Sequence, residues 1–265
     1  MSLVNNLLAG GAYAQKQLFC KARLVAWSHG ARFRMACRLA EPFAGRKLLD
    51  YGCGDGTFLA LIQDRFTQAV GADMDPKQTA DCIRRFASLS GLSFVLTEDL
   101  LDARHNGRFD VVFCMEVLEH CTEQTRAAVL SDLHRLVAVD GTVIISVPVE
   151  VGPSLIVKQL LRTLAGRRGI GDYRYSEKYT FKDLMKMVFA GEETAIERPV
   201  YRVDLIPGKP TYYHAHKGFN WRTFRRQLNE LFSVQRILFS PLGWLRGFFS
   251  SQVWFICKPR LNRCA

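Results

Sequence analysis

The chain has 265 residues, 48% of them apolar, and a formal charge of +11, enough for a sizeable core in one large domain or a domain with appendages. No apolar run reaches the roughly 18–20 residues of a membrane span. Asn5 and Asn6 interrupt the N-terminal apolar stretch and no basic n-region precedes it, so neither a spanning helix nor a signal peptide is expected.

Residues 1–45 read as a helical segment. Residues 48–58 then run Leu-Leu-Asp-Tyr-Gly-Cys-Gly-Asp-Gly-Thr-Phe: a buried strand ending at Asp50, a turn with glycine at 52, 54 and 56, and the start of a helix. Glycine is needed where the backbone takes positive φ or approaches a ligand with no Cβ between. A dinucleotide fold wants G-x-G-x-x-G; here Thr57 stands at the third glycine place. A second short strand, 68–74, carries Asp73, 23 residues after Asp50, room for strand, turn, helix and strand. A carboxylate at that strand end can accept both hydroxyls of a ribose. Asp75 is the rival for that role, but it precedes Pro76 and reads equally as a helix cap. A third strand, 92–96, leads to Glu98-Asp99.

The fourth strand, 109–115, is nearly all apolar, as a parallel strand buried on both faces should be. It runs into Glu116-Val-Leu-Glu119-His120. An amphipathic helix (about 123–137), a turn at Asp140-Gly141 and a fifth strand (142–147) follow. This alternation predicts a doubly wound α/β sheet, with ligands outside the carboxyl ends of its strands. Asp50, Asp73, Asp99 and Glu116 all fall there.

The G-x-G-x-G turn resembles motif I of the class I S-adenosylmethionine-dependent methyltransferases, and the resemblance covers about residues 45–150. Phe109-Asp-x-x-x-x-x-Glu-Val-Leu-Glu-His120 is similar to the polyprenyl-phenol O-methyltransferase branch, among type 11 and 12-like members. Val139-Asp140-Gly141 departs from the usual Pro-Gly-Gly, a change confined to a turn. The resemblance implies a Rossmann-like seven-stranded sheet, mostly parallel with an antiparallel last strand. It implies S-adenosyl-L-methionine held by Asp50, Gly52, Cys53, Gly54, Gly56, Asp73, Met74, Asp99, Leu100, Met115 and Glu116. Asp99 would sit near the adenine amine; the alternative is a solvated loop acid. Relatives also use Glu-x-x-Glu-His to hold a divalent metal, which here would place Mg²⁺ on Glu116, Glu119 and His120. Other members carry the same residues without metal, and there Glu116 only shapes the cofactor pocket. Both readings stand.

Beyond residue 150 the composition changes. Residues 1–157 hold 16 Lys/Arg against 17 Asp/Glu, and residues 158–265 hold 20 against 8. The excess charge lies entirely in the second part, as a solvated face or as a surface for something anionic. Its basic groups are Arg162, Arg167 and Arg168, then Arg174 and Lys178, then Arg222, Arg225 and Arg226. Residues 155–164 show a helical apolar stripe with Lys158 and Arg162 off it, and 181–189 read as another short helix. Residues 212–221 read as a loop before a basic helix, 221–232. Strands 234–239 and 252–257 close the fold. The aromatic connection between them (240–249) is expected near the substrate mouth, lining a pocket, touching lipid, or closing the core. Segments 46–150, 151–232 and 233–265 thus read as cofactor-binding core, substrate lid and closing hairpin. The eight cysteines show no C-x-x-C spacing and read as reduced thiols in a cytoplasmic protein.

Methyl transfer requires a nucleophile in line with the S–CH₃ bond, and an oxygen nucleophile needs a base or a metal. His120, His214 and His216 are the candidate bases; each reads equally as a structural histidine. No Asn/Asp-Pro-Pro motif of adenine amino-methylation follows strand four, where the chain reads Cys114-Met115-Glu116-Val117. No Pro-Cys nucleophile of cytosine C5 enzymes is present. Ser146-Val-Pro-Val-Glu150 and His216-Lys-Gly-Phe-Asn220 loosely resemble envelope-polysaccharide methyltransferases. The favoured reading is a soluble methyltransferase acting, at oxygen, on a small-molecule or lipid-linked anionic acceptor, with peripheral membrane contact as a further expectation. An RNA 2′-O-methyltransferase is the alternative, since the basic half suits phosphate. A cofactor-binding protein without catalysis is the third.

Overall fold

The computed structural model describes residues 3–19, 23–167, 179–206, 209–248 and 250–261. Its strands are β1 (Lys47–Tyr51), β2 (Gln68–Asp73), β3 (Leu92–Leu96), β4 (Phe109–Met115), β5 (Val137–Pro148), β6 (Val200–Ile206), β7 (Lys209–His214), β8 (Phe232–Ser240) and β9 (Gln252–Pro259). Its α-helices are α1 (Leu3–Ala9), α2 (Ala12–Gln17), α3 (Arg23–Ala40), α4 (Thr57–Ile62), α5 (Pro76–Arg85), α6 (Glu123–Leu136), α7 (Ser154–Arg167), α8 (Phe181–Val188) and α9 (Trp221–Leu231). Seven strands form one sheet in the order β3-β2-β1-β4-β5-β9-β8. β1 to β5 pair in parallel, and β9 runs antiparallel between β5 and β8. The expected Rossmann-like sheet is therefore present, and the chain order reverses between β1 and β4, where such sheets bind ligands.

Apolar residues on consecutive positions of β4 serve both faces. Val112 faces the layer of α6 and α9, with Leu133, Phe224 and Phe255. Phe113 faces the layer of α3, α4 and α5, with Phe33, Phe58 and Trp254. That is why the strand lacks polar alternation. No described helix is long and apolar enough to cross a membrane. Cys37, Cys53, Cys82, Cys114, Cys121 and Cys257 are free thiols; Cys20 and Cys264 lie outside the described residues, as do Arg168, Arg174 and Lys178.

Several expectations need correction. The turn at Asp140-Gly141 is an irregularity inside β5: pairing with β4 jumps from Phe109↔Val137 to Val111↔Thr142. Gly141 is squeezed there, since a Cβ would lie 2.6 Å from Val137 Cγ2. The loop expected at 212–221 begins as a strand, because β6 and β7 form an antiparallel hairpin. Tyr213 ties it to the main body through a bridge with Cys121. The apolar stripe of α7 is buried at Leu155 but not along its length. Lys158 and Arg162 turn inward onto the buried Glu150, at 3.3 and 2.8 Å, and Leu160 and Leu164 stand exposed. Ion pairing outranks the apolar stripe because an unpaired buried Glu150 would cost several kcal/mol. In the connection after β8, Trp244 is 80% exposed and does not close the core.

Candidate active site

The three alternate glycines all take positive φ, at +80°, +52° and +72°, but their surroundings differ. A Cβ on Gly52 would meet Val117 Cγ2 at 2.3 Å, and one on Gly56 would meet Phe86 at 2.8 Å. At Gly54 the nearest atom is Gln78 Oε1 at 3.8 Å. Gly52 and Gly56 are thus required by packing, and Gly54 stands at open space. The Gly54 N–H donates to Asp73 Oδ2 at 2.8 Å and the Asp75 N–H to Asp73 Oδ1 at 2.9 Å. Asp73 keeps acceptor capacity on both oxygens for a further pair of donors. Its rival Asp75 is engaged as the cap of α5, accepting from the Lys77 N–H at 2.8 Å with Pro76 in the first turn.

Asp50 is 1% exposed and its Oδ1 has no hydrogen-bond partner among the described residues. Burial, then the Asp73 charge, pushes its carboxyl up to about 8. Asp99 is exposed and accepts from the Leu96 N–H at 2.9 Å, capping its own turn at the end of β3. The Leu100 side chain is in the core, so only its backbone is free to face a ligand. Met74 is exposed, and Cys53 and Met115 pack partly against the α3–α5 layer.

Glu116 follows β4 with φ +56°, a left-handed conformation uncommon outside glycine. It accepts from Ser146 Oγ at 3.0 Å and faces Arg32 of α3 at 3.6 Å. Arg32 is 8% exposed and also donates to Tyr13 Oη. Burial raises Glu116, with the Arg32 guanidinium pulling the other way. The N-terminal helices thus lean over the glycine turn. The Ala14 N–H donates to Asp55 Oδ2 at 3.0 Å, and Arg85 donates to the Asp55 carbonyl at 2.7 Å.

Glu119 is fully buried, and neither carboxylate oxygen has a hydrogen-bond partner among the described residues. Its Oε1 lies 3.7 Å from His120 Nε2 and 3.8 Å from His216 Nδ1. One donor atom from each of the three lies within 4.8 Å of the others. His120 Nδ1–H donates to the His214 carbonyl at 2.9 Å, which leaves the Nε2 lone pair aimed at the cluster. Burial, then the Glu116 charge, raises Glu119 well above the carboxylate range. Burial, then His120, pushes His216 down to about 3. Both rings are neutral near pH 7 and present lone pairs.

The structure joins His120 and His216 and leaves His214 outside. The His214 Nδ1–H donates to the Pro199 carbonyl at 2.7 Å, so this residue serves the cluster through its backbone carbonyl. Arg198, not singled out in the sequence, donates to the carbonyls of Glu119 and Ala215 (2.7 Å for the latter) and fixes the segment carrying His216. Nor was Arg32 singled out; no local pattern separates it from Arg34 and Arg38.

Tyr13 Oη–H donates to His29 Nδ1 at 2.6 Å, and burial, then Arg32, pushes His29 down to about 4. A folded value below the unfolded 6.5 means the unfolded chain binds more protons between these values. Stability contributed by His29 is whole above pH 6.5 and is lost as pH falls to 4, by at most ~3 kcal/mol. The melting midpoint of His29→Gln is expected to fall less steeply than wild type across pH 6.5–4; parallel curves would refute this assignment.

A methyltransferase-domain family model matches residues 28–185. The chain is similar to the ubiquinone biosynthesis O-methyltransferase of Pseudomonas aeruginosa strain LESB58, 36% identical over 107 residues, covering 39% of this chain and only 44% of that relative's length. It is 28% identical over 204 residues to the enzyme of the same name from Psychrobacter cryohalolentis, covering 74% and 73% of the two chains. Among solved structures it resembles a protein of Pyrococcus horikoshii OT3, with TM-score 0.58, 13% identity and coverage of 94% and 97%. It also resembles magnesium protoporphyrin IX methyltransferase from Synechocystis PCC 6803 with bound S-adenosylhomocysteine, with TM-score 0.53, 17% identity and coverage of 97% and 93%. At such identities these structures support the fold.

Proposed function

The chain belongs to the methyltransferase-domain family, and from that premise we propose that it moves the methyl group of S-adenosylmethionine to an oxygen of a lipid-linked or small anionic acceptor. The observation that carries this reading is the Glu119–His120–His216 cluster, a buried carboxylate under two half-exposed imidazoles, formed partly by the segment after β4 that packs Val117 on Gly52 of the glycine turn.

The site residues fit the cofactor. Asp73 presents acceptor lone pairs for ribose hydroxyls beside Gly54, where no side chain intervenes. Arg32 offers a guanidinium to the carboxylate at the amino-acid end, and the unpartnered Asp50 Oδ1 offers an acceptor to its ammonium. When bound, S-adenosylmethionine supplies the electrophilic methyl of a sulfonium cation. Asp73→Ala is expected to weaken S-adenosylhomocysteine binding by about 10–100-fold, from ~1–3 kcal/mol of unpaired buried groups; equal calorimetric affinity would refute this register.

The cluster also fits a divalent metal: a buried carboxylate with no hydrogen-bond donor among the described residues and two neutral imidazoles bring their ligand atoms within 4.8 Å of one another. Glu119, His120 and His216 would hold it, with Glu116 occupied by Arg32 and Ser146. Two imidazoles make a softer donor set than Mg²⁺ prefers, and Mn²⁺ or Zn²⁺ suits it better. When bound, such an ion lowers the proton affinity of an acceptor hydroxyl.

The choice of oxygen is supported by that cluster, since an acceptor hydroxyl needs a base or metal, and by the O-methyltransferase names of the similar proteins. The lipid-linked acceptor rests on the outward Leu160 and Leu164 of α7 and on the exposed Trp244. The test is label transfer from [methyl-³H]S-adenosylmethionine to lipid, RNA and polar fractions, with and without EDTA. EDTA-sensitive label in a lipid or small-molecule fraction is expected. RNase-sensitive label, or none in any fraction, would overturn the proposal.

A further inference from the structure

A groove of about 960 Å³ lies apart from the Glu119 cluster. It lies along the outer side of α3, against the β8–β9 hairpin. α3 is two-faced: Phe33, Ala36 and Ala40 are buried in the core, while Met35 and Leu39 line the cavity. Ile144, Leu238 and Ile256 complete its aliphatic lining. Its volume is at the upper end of the range for small-molecule sites, about 300–1,000 Å³.

The polar lining is one-sided. Arg38 comes from α3, Arg222 and Arg225 from α9, and Arg236 from β8, and no acidic residue among the described residues lines the cavity. Arg222 donates to the Ala190 carbonyl and lies over Trp221. Arg38, Arg225 and Arg236 make no ion pair among the described residues, whereas the adjacent Arg226 pairs with Glu193. Cations from three separate elements, gathered at an apolar groove without a counter-charge, repel one another.

We propose that this groove binds a single-chain lipid phosphate, with the chain along α3 and the phosphate on Arg38, Arg225 and Arg236. Guanidinium forks match phosphate oxygens, and three of them match the three free oxygens of a phosphomonoester. Met35, Leu39 and then Pro42 and Phe43 of the turn after α3 give the groove an apolar wall of roughly ten ångströms, the reach of a medium alkyl chain. A nucleotide or sugar would leave its polar groups unpaired over the aliphatic lining. A peptide would need a continuous edge, but the register of β8 shifts between Val234 and Arg236, which disfavours strand addition. The site is separate from methyl transfer and stands or falls independently of it.

The test is isothermal calorimetry with dodecyl phosphate below its micelle-forming concentration, in saturating S-adenosylhomocysteine so that the cofactor site is closed. Saturable one-to-one binding is expected. Dodecanol should bind at least ~10-fold more weakly, because charge-assisted contacts are lost, and inorganic phosphate should give no saturable heat. Arg38→Gln/Arg225→Gln/Arg236→Gln should weaken dodecyl phosphate at least ~10-fold at an unchanged melting midpoint, since all three residues are exposed. Met35→Trp, which fills the groove and leaves the arginines, should weaken it as well. Equal affinity for dodecanol, or unchanged binding in either variant, would overturn the proposal. So would absence of binding while the protein sediments with phosphatidylglycerol vesicles or self-associates through this face.

Discussion

Glu119→Gln is expected to abolish divalent-metal binding, cut methyl transfer by about 10²–10³-fold, and raise the melting midpoint of the metal-free protein. These opposite signs separate a ligand from a structural acid. Glu119 is fully buried with both oxygens unpartnered among the described residues, and the neighbouring Glu116 adds like charge. A carboxylate in that position destabilises the metal-free fold unless it is protonated or meets a cation. Glutamine keeps the shape and removes the charge, so the metal-free fold gains while the site loses its anionic donor. His216→Ala should also lose metal affinity, by roughly 10–100-fold. It removes a donor reached 97 residues later in the chain. Calorimetric titration with Mn²⁺, melting with EDTA and single-turnover label transfer read the three quantities. Retained Mn²⁺ affinity, or a lowered midpoint in EDTA, would show that Glu119 serves the fold.

The glycine turn was legible because its requirement is local: positive φ at alternate positions follows from the residues themselves. The Asp75-Pro76 cap and the doubly apolar β4 were legible for the same reason. What sequence left open depends on packing. Arg32, Arg34 and Arg38 share one helix, and only the lean of α3 over Glu116 buries Arg32. The β6–β7 hairpin carries Arg202, Asp204 and Lys209 without clean alternation, and it is anchored by the Cys121–Tyr213 bridge and by Arg198. His216 enters the site from the bend that follows β7; His214, the last residue of the strand, is held away from it by its hydrogen bond to the Pro199 carbonyl. Lys158 and Arg162 looked like a solvated edge until Glu150 gave them a partner inside. Local chemistry was readable, and pairings across tens of residues were not.

The second large effect falls on the turn itself. Gly52→Ala is expected to destabilise the protein by about 2–4 kcal/mol, a fall of roughly 5–15 °C in melting midpoint. Two causes contribute. Alanine at φ +80° costs ~1–2 kcal/mol, and its Cβ would lie 2.3 Å from Val117 Cγ2, an overlap that β4's following loop must yield to. A double-mutant cycle separates them. In a Val117→Ala background the overlap is gone and only the backbone cost remains, so the increment from Gly52→Ala should drop to about half. Gly54→Ala is the contrast: φ is +52° but the nearest atom is 3.8 Å away, so stability should fall by only ~1–2 kcal/mol. Its new methyl would stand at the open side of the turn beside Asp73, and S-adenosylhomocysteine affinity should drop at least ~10-fold. Equal destabilisation at the two positions, or unaltered affinity in Gly54→Ala, would mean that the turn faces its ligand through a different residue.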